Sequence, residues 1–178
     1  MIILMGISGA GKGTQGALLA KEMGLKVIST GELLRTYGSE EQHARMKTGI
    51  FLGDEEVTAL LDKALSELPD QNAVILDGYP RRISQADWLL EQEKQGRFKI
   101  ERVLEFNISR EAVKARLLDR ARPDDHDSAI EGRFREYEKD ALPVLEHLKQ
   151  ANMPVTKING DQPVEAVHAE VVAAFKHA

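Results

Sequence analysis

A lysine, Lys12, stands inside the run Gly6-Ile7-Ser8-Gly9-Ala10-Gly11-Lys12-Gly13-Thr14, directly behind an apolar stretch at residues 1–5. The spacing G-x-x-x-x-G-K can do chemistry. Glycines admit backbone angles closed to other residues and let successive peptide N–H groups converge on one centre. The positive end of a following helix adds to that centre. Together they form a cradle for phosphate oxygens, with Gly9, Ala10, Gly11, Gly13 and Thr14 around it and Lys12 reaching the terminal phosphates of a nucleotide. The bland alternative is an ordinary glycine-rich strand-to-helix turn. Spacing and context together favour the cradle. The position after Lys12 often supplies a hydroxyl ligand to magnesium. Here it is Gly13. A metal would therefore be held mostly through phosphates and water, as Mg²⁺ often is.

Other chemistry-bearing residues come in clusters. "STGELLR" carries Thr30, Gly31 and Arg35 across a helix start. A guanidinium can grip a monophosphate through two parallel bonds. Taken alone, Ser-Thr-Gly is simply a helix cap at Ser29 or Thr30. "LDGYPRR" follows an apolar run and holds Asp77, Gly78 and Arg81, with Gln85 four residues on along the same helical face. Asp77 would sit at a strand's C-terminal end, where open α/β sheets bind ligands. The alternative for this segment is a structural turn with a solvated arginine. Arg116 and Arg120 share a helix face at i, i+4. Arg122, Asp124 and Asp125 follow in a short loop, and Arg133 lies on the next helix. In isolation these charges read as a solvated face.

The elements that must position these groups alternate. Short apolar strands are expected at 2–5, 26–28, 73–76, 102–107 and 154–158. Amphipathic helices are expected at 12–23, 84–95, 109–120, 127–151 and 163–175, with Leu18, Leu19 and Met23 on one face of the first. Residues 31–68 look helical in pieces, broken near Gly38, Gly49 and Gly53. Five buried strands separated by helices predict a parallel sheet covered on both faces.

The bulk numbers narrow the function classes. The 178 residues, 42% hydrophobic, suffice for one domain with a sizeable core. A net charge of -5 excludes a global basic field for nucleic acid. The absence of cysteine excludes thiolate chemistry and disulfides. No apolar run approaches a membrane span, and the start lacks the pattern of a secretory signal. The expectation is a soluble, cytoplasmic protein with no membrane or nucleic-acid partner, acting as a monomer.

Taken together, "GAGKGTQ", "ISTGELLR", "ILDGYPRRISQA" and "RARPDDHDSAIEGRFREY" occur in the same order as the matching motifs of adenylate kinases. The chain resembles a short-lid nucleoside monophosphate kinase of that family over nearly its whole length. "INGDQPVEAV" is similar to the family's adenine-side loop and adds Gly160 to the ATP side. The resemblance implies a P-loop NTPase-type α/β three-layer sandwich with a five-stranded parallel sheet. It implies one kinase domain over 1–178, with a helical NMP-binding insertion near 30–60 and a short lid near 121–132.

The activity it implies is reversible transfer of a phosphoryl group from MgATP to AMP, giving two ADP. Alternatives are a UMP/CMP or broad-specificity monophosphate kinase, and a nucleotide-binding module without turnover. Lys12, Arg81, Arg120, Arg122 and Arg133 would stabilise the transferring group. Arg116 would stack on the donor adenine. Thr30, Gly31, Arg35, Gly78, Arg81, Gln85, Arg122 and Arg133 would bind AMP, with Thr30 suiting adenine. Asp124 and Asp125 would steady the lid, and Asp77 would organise magnesium waters. No histidine is expected to be catalytic. Three positions depart from the family pattern: Ser8 and Gly53 replace Pro, and Tyr79 replaces Phe.

Overall fold

The structure is a computed structural model that describes residues 1–40, 53–120 and 126–176. Five strands form one sheet: β1 (Ile2–Met5), β2 (Lys26–Ser29), β3 (Val74–Asp77), β4 (Arg102–Asn107) and β5 (Val155–Asn159). All pairings are parallel, in the order β2-β3-β1-β4-β5. The helices are α1 (Lys12–Met23), α2 (Thr30–Tyr37), α3 (Asp54–Ser66), α4 (Ile83–Lys94), α5 (Arg110–Arg120), α6 (Asp127–Glu136), α7 (Leu142–Gln150) and α8 (Val164–Lys176). The expected five-stranded parallel α/β sandwich is thus the fold observed.

The strand sequences explain the layering. Every residue of β1 is buried, so this strand reads as a continuous apolar run rather than an alternating one. Its odd and even side chains serve two cores. Ile3 and Met5 join Val74, Leu76 and Val103 beneath α3, α4 and α7, which contribute Leu61, Leu89 and Leu148. Ile2 and Leu4 join Ile75, Leu104 and Phe106 beneath α1, α5, α6 and α8, which contribute Leu19, Leu117, Ile130 and Val171. The chain leaves β1 toward β2 on one side and crosses to β4 on the other. The strand order therefore reverses beside β1, and a crevice opens at the carboxyl ends there.

Four local expectations need correction. In α1 only Leu19 is core; Leu18 and Met23 are 37% and 43% exposed, because Gln15 and Gly16 take the inward positions instead. Neither Ser29 nor Thr30 caps α2 through its side chain: Ser29 makes no capping bond, and the Thr30 hydroxyl donates to the Gly78 carbonyl. Arg81 lies before α4, so it does not share a helical face with Gln85. The helix expected over 127–151 is interrupted by a π-helical turn, Tyr137–Ala141. There the Leu142 N–H bonds back to the Tyr137 carbonyl, five residues earlier. Pro143 explains the interruption, since it has no N–H to give and its ring crowds the carbonyl four residues back.

The break expected near Gly38 ends α2, and the one near Gly53 starts α3. The break expected near Gly49 lies outside the described residues. Among the described residues no helix is long and apolar enough to cross a membrane.

Candidate active site

The phosphate loop joins β1 to α1. Gly6, Gly9 and Gly11 all have positive φ, at 148°, 92° and 95°. Gly6 is required by space as well as by angle. A Cβ there would lie 2.9 Å from the Phe106 carbonyl oxygen, on backbone that cannot yield. Gly11 precedes α1 and offers no side-chain cap, and the helix has no acid in its first turn. Its first N–H groups and positive end therefore face the loop. Lys12 Nζ donates to the carbonyls of Gly6 at 2.7 Å and Ile7 at 3.0 Å, so its charge lies over the loop. Gln15, buried in α1, donates to the Val164 carbonyl at 2.9 Å and ties the helix to α8.

Asp77 ends β3 and faces the same centre: its Oδ2 would lie 3.7 Å from a Cβ placed on Gly13. Next to it, Gly78 has φ 84° and a carbonyl that accepts two bonds. Thr30 Oγ1 and Arg81 Nε each donate to it at 2.9 Å. Gln85 Oε1 accepts the Arg81 N–H at 2.8 Å. Arg35 folds back over its own helix start, within 3.3 Å of where a Gly31 Cβ would be.

Arg81 keeps solvent contact while protein crowds around it. That desolvation is the main cause that lowers its guanidinium from the ordinary value. Asp77 and Glu136 act against the shift, and Arg133 adds to it. The group stays charged at any ordinary pH. Glu136 is raised from the usual carboxylate range, chiefly by desolvation, with Arg81 opposing. These mutual influences place Arg133 and Glu136, both on α6, in electrostatic range of Arg81. Glu136 was absent from the sequence-derived site. Its one local signal was its place three residues after Arg133, on the same face.

A second cluster joins the phosphate loop, α5 and the loop after β5. Arg116 on α5 donates to the Gly160 carbonyl at 2.8 Å and to the Gln162 carbonyl at 3.4 Å. Its guanidinium lies 3.8 Å from a Cβ placed on Gly11. Gly160 donates its N–H to the Asn107 carbonyl at 2.6 Å. A Cβ on Gly160 would sit 3.0 Å from that oxygen and 3.5 Å from the Ala10 carbonyl. Asp161 holds this loop against Ser109, accepting from both its N–H and its hydroxyl. Gly9, Ala10, Gly11, Arg116 and Gly160 are thus neighbours.

The Arg120 side chain, Arg122, Asp124 and Asp125 lie outside what the structure describes. Three histidines are engaged structurally. His126 caps α6, His147 bonds to Asp87, and His168 bridges Gln15 and Glu22. His43 and His177 are outside the described residues.

Tyr79 shows what its departure from Phe provides. The side chain is buried, and its hydroxyl shares a 2.9 Å hydrogen bond with Thr58. Burial pushes this phenol up to about 12. Its ring meets Trp88 edge-on at 6.3 Å. The hydroxyl therefore pins β3's exit turn to α3.

Gly78→Ala tests how tightly this corner is built. A Cβ would fall 2.8 Å from Thr30 Oγ1 and 3.1 Å from an Arg81 nitrogen, at a backbone angle that alanine resists. We expect a loss of about 1–3 kcal/mol in stability, measured by urea unfolding. A variant as stable as the parent would contradict the observed packing.

The site can do one thing well. It places Lys12 over the phosphate loop, Asp77 beside Gly13, Arg116 beside Gly11 and Arg81 on the Gly78 carbonyl. That is an arrangement for binding phosphate chains. Among the described residues no three His, Asp or Glu side chains converge to hold a metal by themselves. A magnesium ion carried by phosphates and water would fit that donor set, and Asp77 would be the carboxylate to accept from its waters.

Comparison with known proteins agrees with this geometry. A family model described as adenylate kinase matches residues 4–153. The chain is 34% identical to "Adenylate kinase 1" of Nostoc sp., over 98% of this chain and 97% of that protein. It is 37% identical to "Adenylate kinase" of Mycobacterium tuberculosis, over 83% and 85%. It is 39% identical to "Adenylate kinase" of Mycobacteroides abscessus, over 82% and 84%. On the phosphate loop, the sheet order and this match along most of its length, the chain belongs to the adenylate kinase family.

Proposed function

We propose that the chain catalyses reversible phosphoryl transfer from MgATP to AMP, giving two ADP. The observation that carries this is the meeting of the phosphate loop, Asp77 and Arg81 where the strand order reverses. ATP would lie with its phosphates on residues 9–14 and its adenine against Arg116 and the Gly160 loop. AMP would lie over Thr30, Gly31, Arg35, Gly78 and Gln85. The two phosphate chains then meet near Lys12 and Arg81, with Arg120, Arg122 and Arg133 completing the cationic ring. We assign residues 30–60 to the acceptor-binding insertion and 121–132 to a short lid steadied by Asp124 and Asp125.

The chemistry asks little else of the protein. The attacking oxygen belongs to the AMP phosphate, which is already ionised at neutral pH, so no strong general base is needed. Charge spreads over the transferring group in the transition state. Fixed cations and backbone dipoles aimed there lower the barrier. Mg²⁺, when bound through the ATP phosphates, neutralises part of that charge. Excluding water from the crevice guards against hydrolysis of ATP. We propose that the protein acts as a monomer. A cysteine-free protein using ATP and AMP suits the cytoplasm.

Acceptor profiling tests the reading. With MgATP, AMP should be phosphorylated at least about ten times more efficiently than CMP, UMP or dTMP. A better pyrimidine acceptor would move the assignment to a UMP/CMP kinase. Tight ATP binding with no turnover on any monophosphate would refute catalysis altogether.

A further inference from the structure

The acceptor corner holds a side-chain amide whose direction is set by its neighbours. Gln85 is 5% exposed. Its Oε1 accepts the Arg81 N–H at 2.8 Å, and its Nε2 donates to Asp54 Oδ1 at 3.3 Å. Asp54, in the first turn of α3, is itself held. Its Oδ2 accepts from Ser84 Oγ at 2.5 Å, and its Oδ1 pairs with Arg82 at 3.3 Å. A flipped amide would press Oε1 on a carboxylate and Nε2 on an N–H, so it would make two like-with-like contacts in place of two bonds.

We infer that Asp54 locks the Gln85 amide in one orientation and thereby makes the acceptor site select 6-amino over 6-oxo purines. The inference rests on the acceptor reading above, with the AMP base placed against Gln85. An amide nitrogen carries two N–H groups and an amide oxygen two lone pairs. One of each is taken by Asp54 and Arg81. Among the described residues one N–H and one lone pair remain, in an order fixed by those two bonds. A 6-aminopurine presents an N6–H donor beside the N1 acceptor, which complements that pair. A 6-oxopurine presents an O6 acceptor beside an N1–H donor, which complements only the flipped amide. The Asp54 carboxylate, acceptor-only when ionised, opposes the flip together with the Arg81 N–H. Buried hydrogen-bonding groups left mismatched give large discrimination.

The test compares AMP with inosine monophosphate, which differ in the groups presented at ring positions 1 and 6. The parent chain should favour AMP in kcat/KM by about 100-fold or more. Asp54→Asn offers Gln85 either an oxygen or a nitrogen and leaves the Arg81 N–H alone to oppose the flip, so the AMP preference should fall by about tenfold. Both acceptors are measured on the same preparation, so a general loss of stability does not move the ratio. Gln85→Met should also erase most of the preference.

An unchanged ratio in Asp54→Asn, with Gln85→Met losing it, would overturn the lock while leaving the acceptor reading intact. An unchanged ratio in both variants would overturn the role of Gln85 as well. A parent chain that phosphorylates neither purine would refute the acceptor reading itself, and the lock with it. Should Asp54→Asn fail to fold, Ser84→Ala with Arg82→Met frees the carboxylate from its two holders. A lowered AMP preference there supports the lock, and an unchanged one counts against it.

Discussion

Lys12→Met should lower kcat by about 10³-fold while the protein remains folded. The reason is local. Lys12 Nζ lies over the phosphate loop, 2.7 Å and 3.0 Å from the carbonyls of Gly6 and Ile7. Those contacts hold a full positive charge where transferring phosphate oxygens would gather. Loss of one preorganised donor at a developing charge costs about 10²–10³ in kcat, and this donor carries a formal charge as well. Methionine keeps the four-atom stem and discards the ammonium, with its charge and its donors. The helix N–H groups and the glycine backbone stay, so ATP should still bind, though more weakly. The check is initial-rate formation of ADP from MgATP and AMP, beside a thermal melt. Turnover within tenfold of the parent, from a protein melting at the same temperature, would remove Lys12 from the mechanism.

Arg81→Lys should lower kcat/KM for AMP by about 10²-fold or more, although the charge is kept. Arg81 reaches the crevice with a planar fork, braced by its own Nε bond to the Gly78 carbonyl at 2.9 Å. It sits where Asp77, Glu136 and Arg133 all act on it. The fork offers two parallel donors to phosphate oxygens and holds a fixed direction. An ammonium offers a point charge on a flexible stem. The replacement also loses the bond to Gly78, which the Thr30 hydroxyl shares. Steady-state kinetics with AMP varied at saturating MgATP reads the effect. A kinetically silent lysine would mean that charge alone suffices there and that the fork geometry is incidental.

Much of this site was legible because its signals are local. The phosphate loop is a fixed spacing of residues between an apolar run and a helix. Each strand is a short apolar run between turn residues, and all five lie within a residue or so of the expected spans. α1 was legible at both ends because Gly11 precedes it and Gly24 stops it, each in a left-handed conformation. Other features depend on partners distant in sequence. Thr30 looks like a cap in any short window, yet its hydroxyl bonds to Gly78, 48 residues on. Leu18 looks like core until the sheet decides which face of α1 turns inward.

Glu136 enters the site only because α6 passes beside Arg81. The π turn at Tyr137–Ala141 has a local cause in Pro143, but proline inside a helical pattern usually signals a kink or an end. The Asp54–Gln85 pair spans α3 and α4, so its geometry had no counterpart in residue spacing. The arginines at 116, 120, 122 and 133 read as a solvated charged face when considered locally. Only the order of motifs along the chain distinguished them.

The most direct measurement is a crystal structure of the protein with a dinucleoside polyphosphate that joins the two adenosines of donor and acceptor. The phosphate chain should lie along residues 6–14, with its middle among Lys12, Arg81 and Arg133. One adenine should rest beside Arg116 and Gly160, and the other beside Gln85. A phosphate chain bound away from residues 6–14, or a crevice closed to it by the protein's own side chains, would contradict the account.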